Sequence, residues 1–268
     1  MKLLTVSDKE CTRVYSSRIK ERFHDVDLAI GCGDLSYYYL EYIISSLDVP
    51  LYFVRGNHAK PVEYGCYGSR EAPWGAVNLH KKVIRDKDTG LILSGIQGSL
   101  RYNDGDYQYT QGEMWVMVMQ LLPSLIYNKI RYGRYLDIFV THAPPWGIHD
   151  CDDPTHRGVK AFRWFIKTFQ PTYHLHGHVH VYSPLTVTKS KLGKTRVINS
   201  YGYKKLVIGD QKSAQTQVTQ TVISKVNSQN GKNPHNEILT KSVKQDLNGT
   251  EQPKNLPAVE CLSKSDAV

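Results

Sequence analysis

Five apolar runs in this sequence each end in side chains able to hold a divalent cation. Asp8 follows Leu3–Ser7, and Asp34 closes Gly31-Cys32-Gly33-Asp34 after Leu28–Gly31. Asn57 and His58 follow Leu51–Arg55 in Arg55-Gly56-Asn57-His58, and His142 follows Asp137–Thr141. His178 and His180 follow Tyr173–His176 in Gly177-His178-Val179-His180. A mixed set of carboxylate, carboxamide and imidazole donors suits manganese, iron or zinc. Taken singly, each residue has a plainer explanation: a turn Asp or Asn, a helix cap, a satisfied core histidine. Five strand ends in chain order, each with a metal-competent side chain, do not.

The elements that must position these residues alternate. Leu3–Ser7, Leu28–Gly31 and Leu51–Arg55 read as strands, with helices over Ser17–Phe23 and Tyr37–Ser46 between them. This order implies a parallel sheet covered by helices. Ligands of open α/β sheets bind outside the carboxyl ends of the strands, where the candidate residues fall. Leu91–Gly95, Asp137–Thr141 and Tyr173–His176 add strands, and Val159–Phe169 a helix. Residues 112–132 are helical, split or kinked at Pro123, which lacks a backbone donor. Met114, Met117 and Met119 read as core filler. Pro184–Lys189, Thr195–Asn199 and Leu206–Gly209 read as short strands, with a turn at Gly193.

The five motifs together resemble the calcineurin-like metallophosphoesterases, whose pattern is Asp-x-His, Gly-Asp, Gly-Asn-His-Asp/Glu, a histidine after a strand, and Gly-His-x-His. This chain has Ser7-Asp8-Lys9-Glu10, Gly33-Asp34, Gly56-Asn57-His58-Ala59, Thr141-His142-Ala143-Pro144-Pro145 and Gly177-His178-Val179-His180. The resemblance spans roughly residues 1–209. It implies an α/β four-layer α-β-β-α sandwich with two mixed central sheets, and hydrolysis of a phosphodiester or phosphomonoester by a metal-bridging hydroxide. It implies two divalent ions, Mn2+ first, with Fe, Zn or Mg as alternatives. Asp8, Glu10 and His180 would hold one ion and Asn57, His142 and His178 the other. Asp34 would bridge them, since cations about 3.5–4 Å apart need a shared anionic ligand. His58 would stand beside the leaving group as acid or charge stabiliser.

Two positions depart from the pattern. Glu10 replaces the usual histidine; it keeps the spacing and makes the first site harder, favouring manganese or magnesium. Ala59 replaces an acidic residue that would orient His58, and Asp150, Asp152 and Asp153 are candidate substitutes. They lie in the polar loop 144–158, where His156 and Arg157 are expected to contact substrate phosphate. Arg101 and Tyr102 invite the same reading. His174 and His176 read as structural, and Tyr37, Tyr38 and Tyr39 as core and rim packing.

All 28 aromatic residues lie at or before Tyr203. Residues 1–209 therefore read as the metallophosphoesterase domain, and 210–268 as a polar, disordered tail with a weakly helical stretch at Thr219–Val226. The net charge of +9 is spread along the chain with no dense basic block. It fits a small phosphoester substrate, and nucleic acid is not favoured as a partner. No run reaches the roughly 20 apolar residues that cross a membrane. The apolar run after Lys2 is too short for a signal peptide, so the expected location is cytoplasmic. Five scattered cysteines argue against a disulfide framework. The alternative function is a non-catalytic metal-binding or protein-interaction scaffold on the same fold.

Overall fold

In a computed structural model describing residues 1–65 and 68–209, the chain opens with β1 (Lys2–Ser7), α1 (Ile19–Phe23), β2 (Leu28–Gly31), α2 (Tyr37–Leu47) and β3 (Leu51–Phe53). The helical crossovers make these strands parallel, with Leu3 opposite Leu28 and Ala29 opposite Leu51. The hairpin β4 (Glu63–Gly65) and β5 (Gly68–Arg70) follows, then β6 (Ala76–Asn78), β7 (Lys82–Arg85) and β8 (Ile92–Ile96). Next come β9 (Ser99–Leu100), β10 (Gln108–Tyr109), α3 (Gln111–Met119), α4 (Leu122–Tyr132) and β11 (Ile138–Thr141). The described part ends with α5 (Lys160–Phe169), β12 (Tyr173–His176), β13 (Lys189–Leu192), β14 (Thr195–Asn199) and β15 (Gly202–Val207).

Two large mixed sheets result, ordered β15-β1-β2-β3-β6 and β13-β14-β12-β11-β8-β7. In the first, Ile19, Phe23, Tyr39, Leu40 and Ile43 of the helices pack on Leu4, Val6, Ala29 and Phe53. Leu3 and Thr5 alternate to the opposite face and are equally buried, so this sheet is covered on both sides. In the second, Met114 and Val118 of α3 and Phe162, Phe165 and Ile166 of α5 pack on Ile92, Ile96, Phe139 and Val197. The fold is α/β, as the residue pattern implies.

The Pro123 break falls between α3 and α4. Proline sits in the first turn of α4, where its missing N–H costs nothing, and Thr110 with Glu113 forms a capping box on α3. Several expectations need correction. Pro184–Lys189 is not a strand: Leu185 N–H donates to Ser183 Oγ and Thr186 N–H to its carbonyl, a turn that leaves only Lys189 to start β13. The last strand is Gly202–Val207 rather than Leu206–Gly209, because it pairs with all of β1. Strands β4, β5, β6, β7, β9 and β10 carry no apolar alternation that would mark them. Met119 is exposed, unlike Met114 and Met117. Cys11 and Cys32 are free thiols, and Cys151 is disulfide-bonded. The tail 210–268 lies outside the described residues.

Candidate metal centre

The strand ends are turned inward by strained backbone. Asp8, Asp34 and His178 adopt left-handed φ values of 62°, 54° and 68°. Such conformations are held only where surrounding structure fixes them, and they cluster at functional sites. The turns interlock: Asp8 N–H donates to the Gly33 carbonyl, and Gly177 N–H to the His142 carbonyl. His178 N–H donates to both Asp8 oxygens, at 3.0 and 3.1 Å. Close approach also demands glycine. A Cβ on Gly177 would sit 1.9 Å from Ser7 Oγ, and one on Gly56 2.0 Å from Asp34 Oδ1.

Asp8, Asp34 and His142 each present a ligand atom within 4.8 Å of the others. His142 Nε2 lies 3.1 Å from Asp34 Oδ2, 3.0 Å from Asn57 Oδ1 and 3.2 Å from His178 Nδ1. The two imidazoles are oriented from behind. His142 Nδ1–H donates to the Cys32 carbonyl at 2.8 Å, and His178 Nε2–H donates to the Thr155 carbonyl at 2.7 Å. Carbonyls only accept, so the opposite ring nitrogens face the cluster. A backbone or carboxylate partner on the outer nitrogen is the usual support of a metal-ligating histidine. His180 Nε2 is 3.8 Å from Asp8 Oδ1, and its Nδ1 is 2.8 Å from the Tyr182 hydroxyl.

Electrostatics gives the same picture of a pocket built around positive charge. Burial alone would raise Asp34, but His142 and the His58 N–H, which donates to Oδ1 at 2.8 Å, hold it well below the carboxylate range. Burial opposes charging His142, yet Asp34 and Asp8 raise it to about 9. Burial pushes Asp8 up to about 6 against the pull of His142. Burial and the neighbouring His142 depress His178 well below its ordinary value, leaving it in the neutral, ligating form. The donor set fits divalent cations.

Other expected residues stand apart. Glu10 is exposed and its carboxylate accepts a hydrogen bond from the Ser36 hydroxyl, the cap of α2; it is not part of the cluster of Asp8, Asp34 and His142. The His58 side chain is exposed, its backbone being what binds Asp34. The His156 ring lies 5.3 Å from that of His178, with Nδ1 held by Asp153. Arg157 is exposed, its guanidinium 3.4 Å from the Asp152 carbonyl. Asp150 bonds Gly147 and Gly158 N–H within its own loop, so it does not stand in for the carboxylate missing at Ala59.

A chain of imidazoles lies behind the site. His176 Nδ1–H donates to the Gly177 carbonyl, so its Nε2 accepts from His149 Nδ1–H at 2.9 Å. His149 Nε2 then accepts from the Ser190 hydroxyl at 2.9 Å. The residue pattern reads His176 as structural and assigns His149 no role. Alternation within β12 places His174 and His176 on one face but says nothing of a partner on a loop.

The calcineurin-like phosphoesterase family matches residues 14–182. This chain belongs to that family, a class of metal-dependent phosphoester hydrolases. The matched span holds Asp34, Asn57, His142, His178 and His180, while Asp8 and Glu10 precede it. One solved structure is 15% identical with a TM-score of 0.53, over 76% of this chain and 94% of the other. A hypothetical protein from Thermus thermophilus is 15% identical with a TM-score of 0.41, over 74% and 75%. A 5'-nucleotidase from Candida albicans is 11% identical with a TM-score of 0.35, over 74% and 44%. Only the first bears on the present chain, and on its fold alone. No curated protein sequence matches the chain.

Proposed function

We propose that this chain hydrolyses a small phosphoester, monoester or diester, with two divalent ions. Asp34 would bridge them; Asn57, His142 and His178 would hold one, and Asp8, His180 and Glu10 the other, Glu10 having first to leave Ser36. Manganese is the proposed metal, iron, zinc or magnesium the alternatives. Bound there, the ions supply charge neutralisation at the phosphate oxygens and a water of lowered pKa. His58 gives a proton, or its charge, to the departing oxygen. His156 and Arg157 hold non-bridging phosphate oxygens.

One observation carries this reading: the cluster-facing nitrogens of His142 and His178, each fixed by a backbone carbonyl behind the ring. The test is an activity panel over monoesters, diesters and cyclic nucleotides after reconstitution with each metal. Turnover of any of them that depends on metal supports the proposal. Tight metal binding with no turnover favours the scaffold reading, for which the Glu10–Ser36 hydrogen bond is the supporting observation.

No helix among the described residues is long and apolar enough to cross a membrane. The proposed location is cytoplasmic, and a Cys151 disulfide that persists in the cell would argue against it, because cytosolic pools keep thiols reduced. Thiol counting on protein alkylated at lysis decides between compartments.

A further inference from the structure

Asn57 presents two different groups, and only its oxygen is a metal ligand. Asn57 Oδ1 lies 3.0 Å from His142 Nε2, inside the cluster. Asn57 is buried, so its Nδ2 needs an acceptor on the other side. The hydroxyl of Tyr102 is there, 3.0 Å from Nδ2 and forty-five residues further along the chain. If the amide were reversed, Nδ2 would face the cations and the site would lose a donor.

The tyrosine is itself held. The buried side chain of Gln108 accepts from Tyr102 N–H at 3.1 Å and from Asn103 N–H at 3.2 Å, closing the loop between β9 and β10. Arg101 N–H donates to the Tyr109 carbonyl at 2.9 Å, so the loop is tied on both sides of Tyr102. The phenol therefore approaches Asn57 from a braced support.

We propose that Tyr102 is a positioning residue of the metal centre: its hydroxyl accepts from Asn57 Nδ2 and holds the amide with Oδ1 toward the ion that would be bound with His142 and His178. This rests on the two-metal reading above. Loss of such an outer partner typically lowers metal affinity 10–100-fold.

The experiment is calorimetric titration of the full, metal-stripped chain with Mn2+, comparing wild type, Tyr102→Phe, Asn57→Ala and the double variant. Thermal melts of the metal-free proteins run alongside. Phe keeps the ring, so the metal-free Tyr102→Phe protein should stay folded, its melting temperature lowered only by the loss of one hydrogen bond to Asn57. Its affinity at one Mn2+ site should fall about 10-fold or more. In the Asn57→Ala background the same change should have no further effect, because nothing remains to be oriented. Equal affinity of wild type and Tyr102→Phe overturns the inference and leaves the two-metal reading intact. An equal loss in the Asn57→Ala background also overturns it, since Tyr102 would then act by another route. Absence of Mn2+ binding by wild type removes both.

Discussion

His149 offers a test whose size can be worked out in advance. It is buried at a left-handed φ of 59°, accepts from Ser190 and donates to His176, which in turn bonds the Gly177 carbonyl just before His178. Burial pushes its imidazole down from 6.5 to about 4. The unfolded chain thus takes up a proton near pH 6.5, and the folded protein only near pH 4. Between these values the unfolded state binds more protons, so this contribution is fully present above pH 6.5 and lost as pH falls. Each pH unit is worth about 1.4 kcal/mol, so the whole effect is at most about 3.5 kcal/mol. The perturbation is His149→Asn, since asparagine tolerates the left-handed backbone. The assay is urea unfolding of metal-free protein at pH 7, 6, 5 and 4. At pH 7 the variant should be less stable by about 1–3 kcal/mol for its lost hydrogen bonds. That deficit should shrink by up to about 3 kcal/mol by pH 4. His149 also lowers its neighbours His174 and His176, so the difference reads His149 together with its coupling to them. A deficit that stays constant from pH 7 to 4 refutes the reasoning.

Asp34→Asn should remove both ions, because the bridge loses its charge; elemental analysis finding two retained ions per chain with normal activity rules out bridging. Glu10→His should shift the metal preference of activity toward zinc or iron, and identical metal profiles would mean that Glu10 stays with Ser36. His58→Ala should cost about 10²–10⁴-fold in turnover of esters with alkoxide leaving groups and much less with nitrophenolate, with metal content unchanged. An equal loss on both esters would assign it charge stabilisation instead of proton transfer. Deleting residues 210–268 should leave melting temperature and small-substrate turnover nearly unchanged, and a large fall in melting temperature would move the proposed domain boundary.

The alternation of β1 to β3, the split at Pro123, and the types and order of the side chains at five strand ends are legible in the amino-acid order alone. These are local properties: an apolar run makes a strand, a proline ends a helix, and a parallel sheet brings its carboxyl ends to one side. Composition could not reveal β4, β5, β9 or β10, which are two or three residues long and exist through their partners. Nor could it reveal which way the candidate ligands face. The ring nitrogen that His178 turns to the centre depends on the Thr155 carbonyl, and the amide of Asn57 on Tyr102. Glu10 has the spacing of a ligand, yet it lies on the Ser36 hydroxyl because α2 begins beside it. Tautomer, amide orientation and rotamer are set by whichever donor or acceptor lies within about 3 Å. At Asp8 that neighbour is the His178 N–H, 170 residues away along the chain, a contact that exists only once the two sheets are assembled.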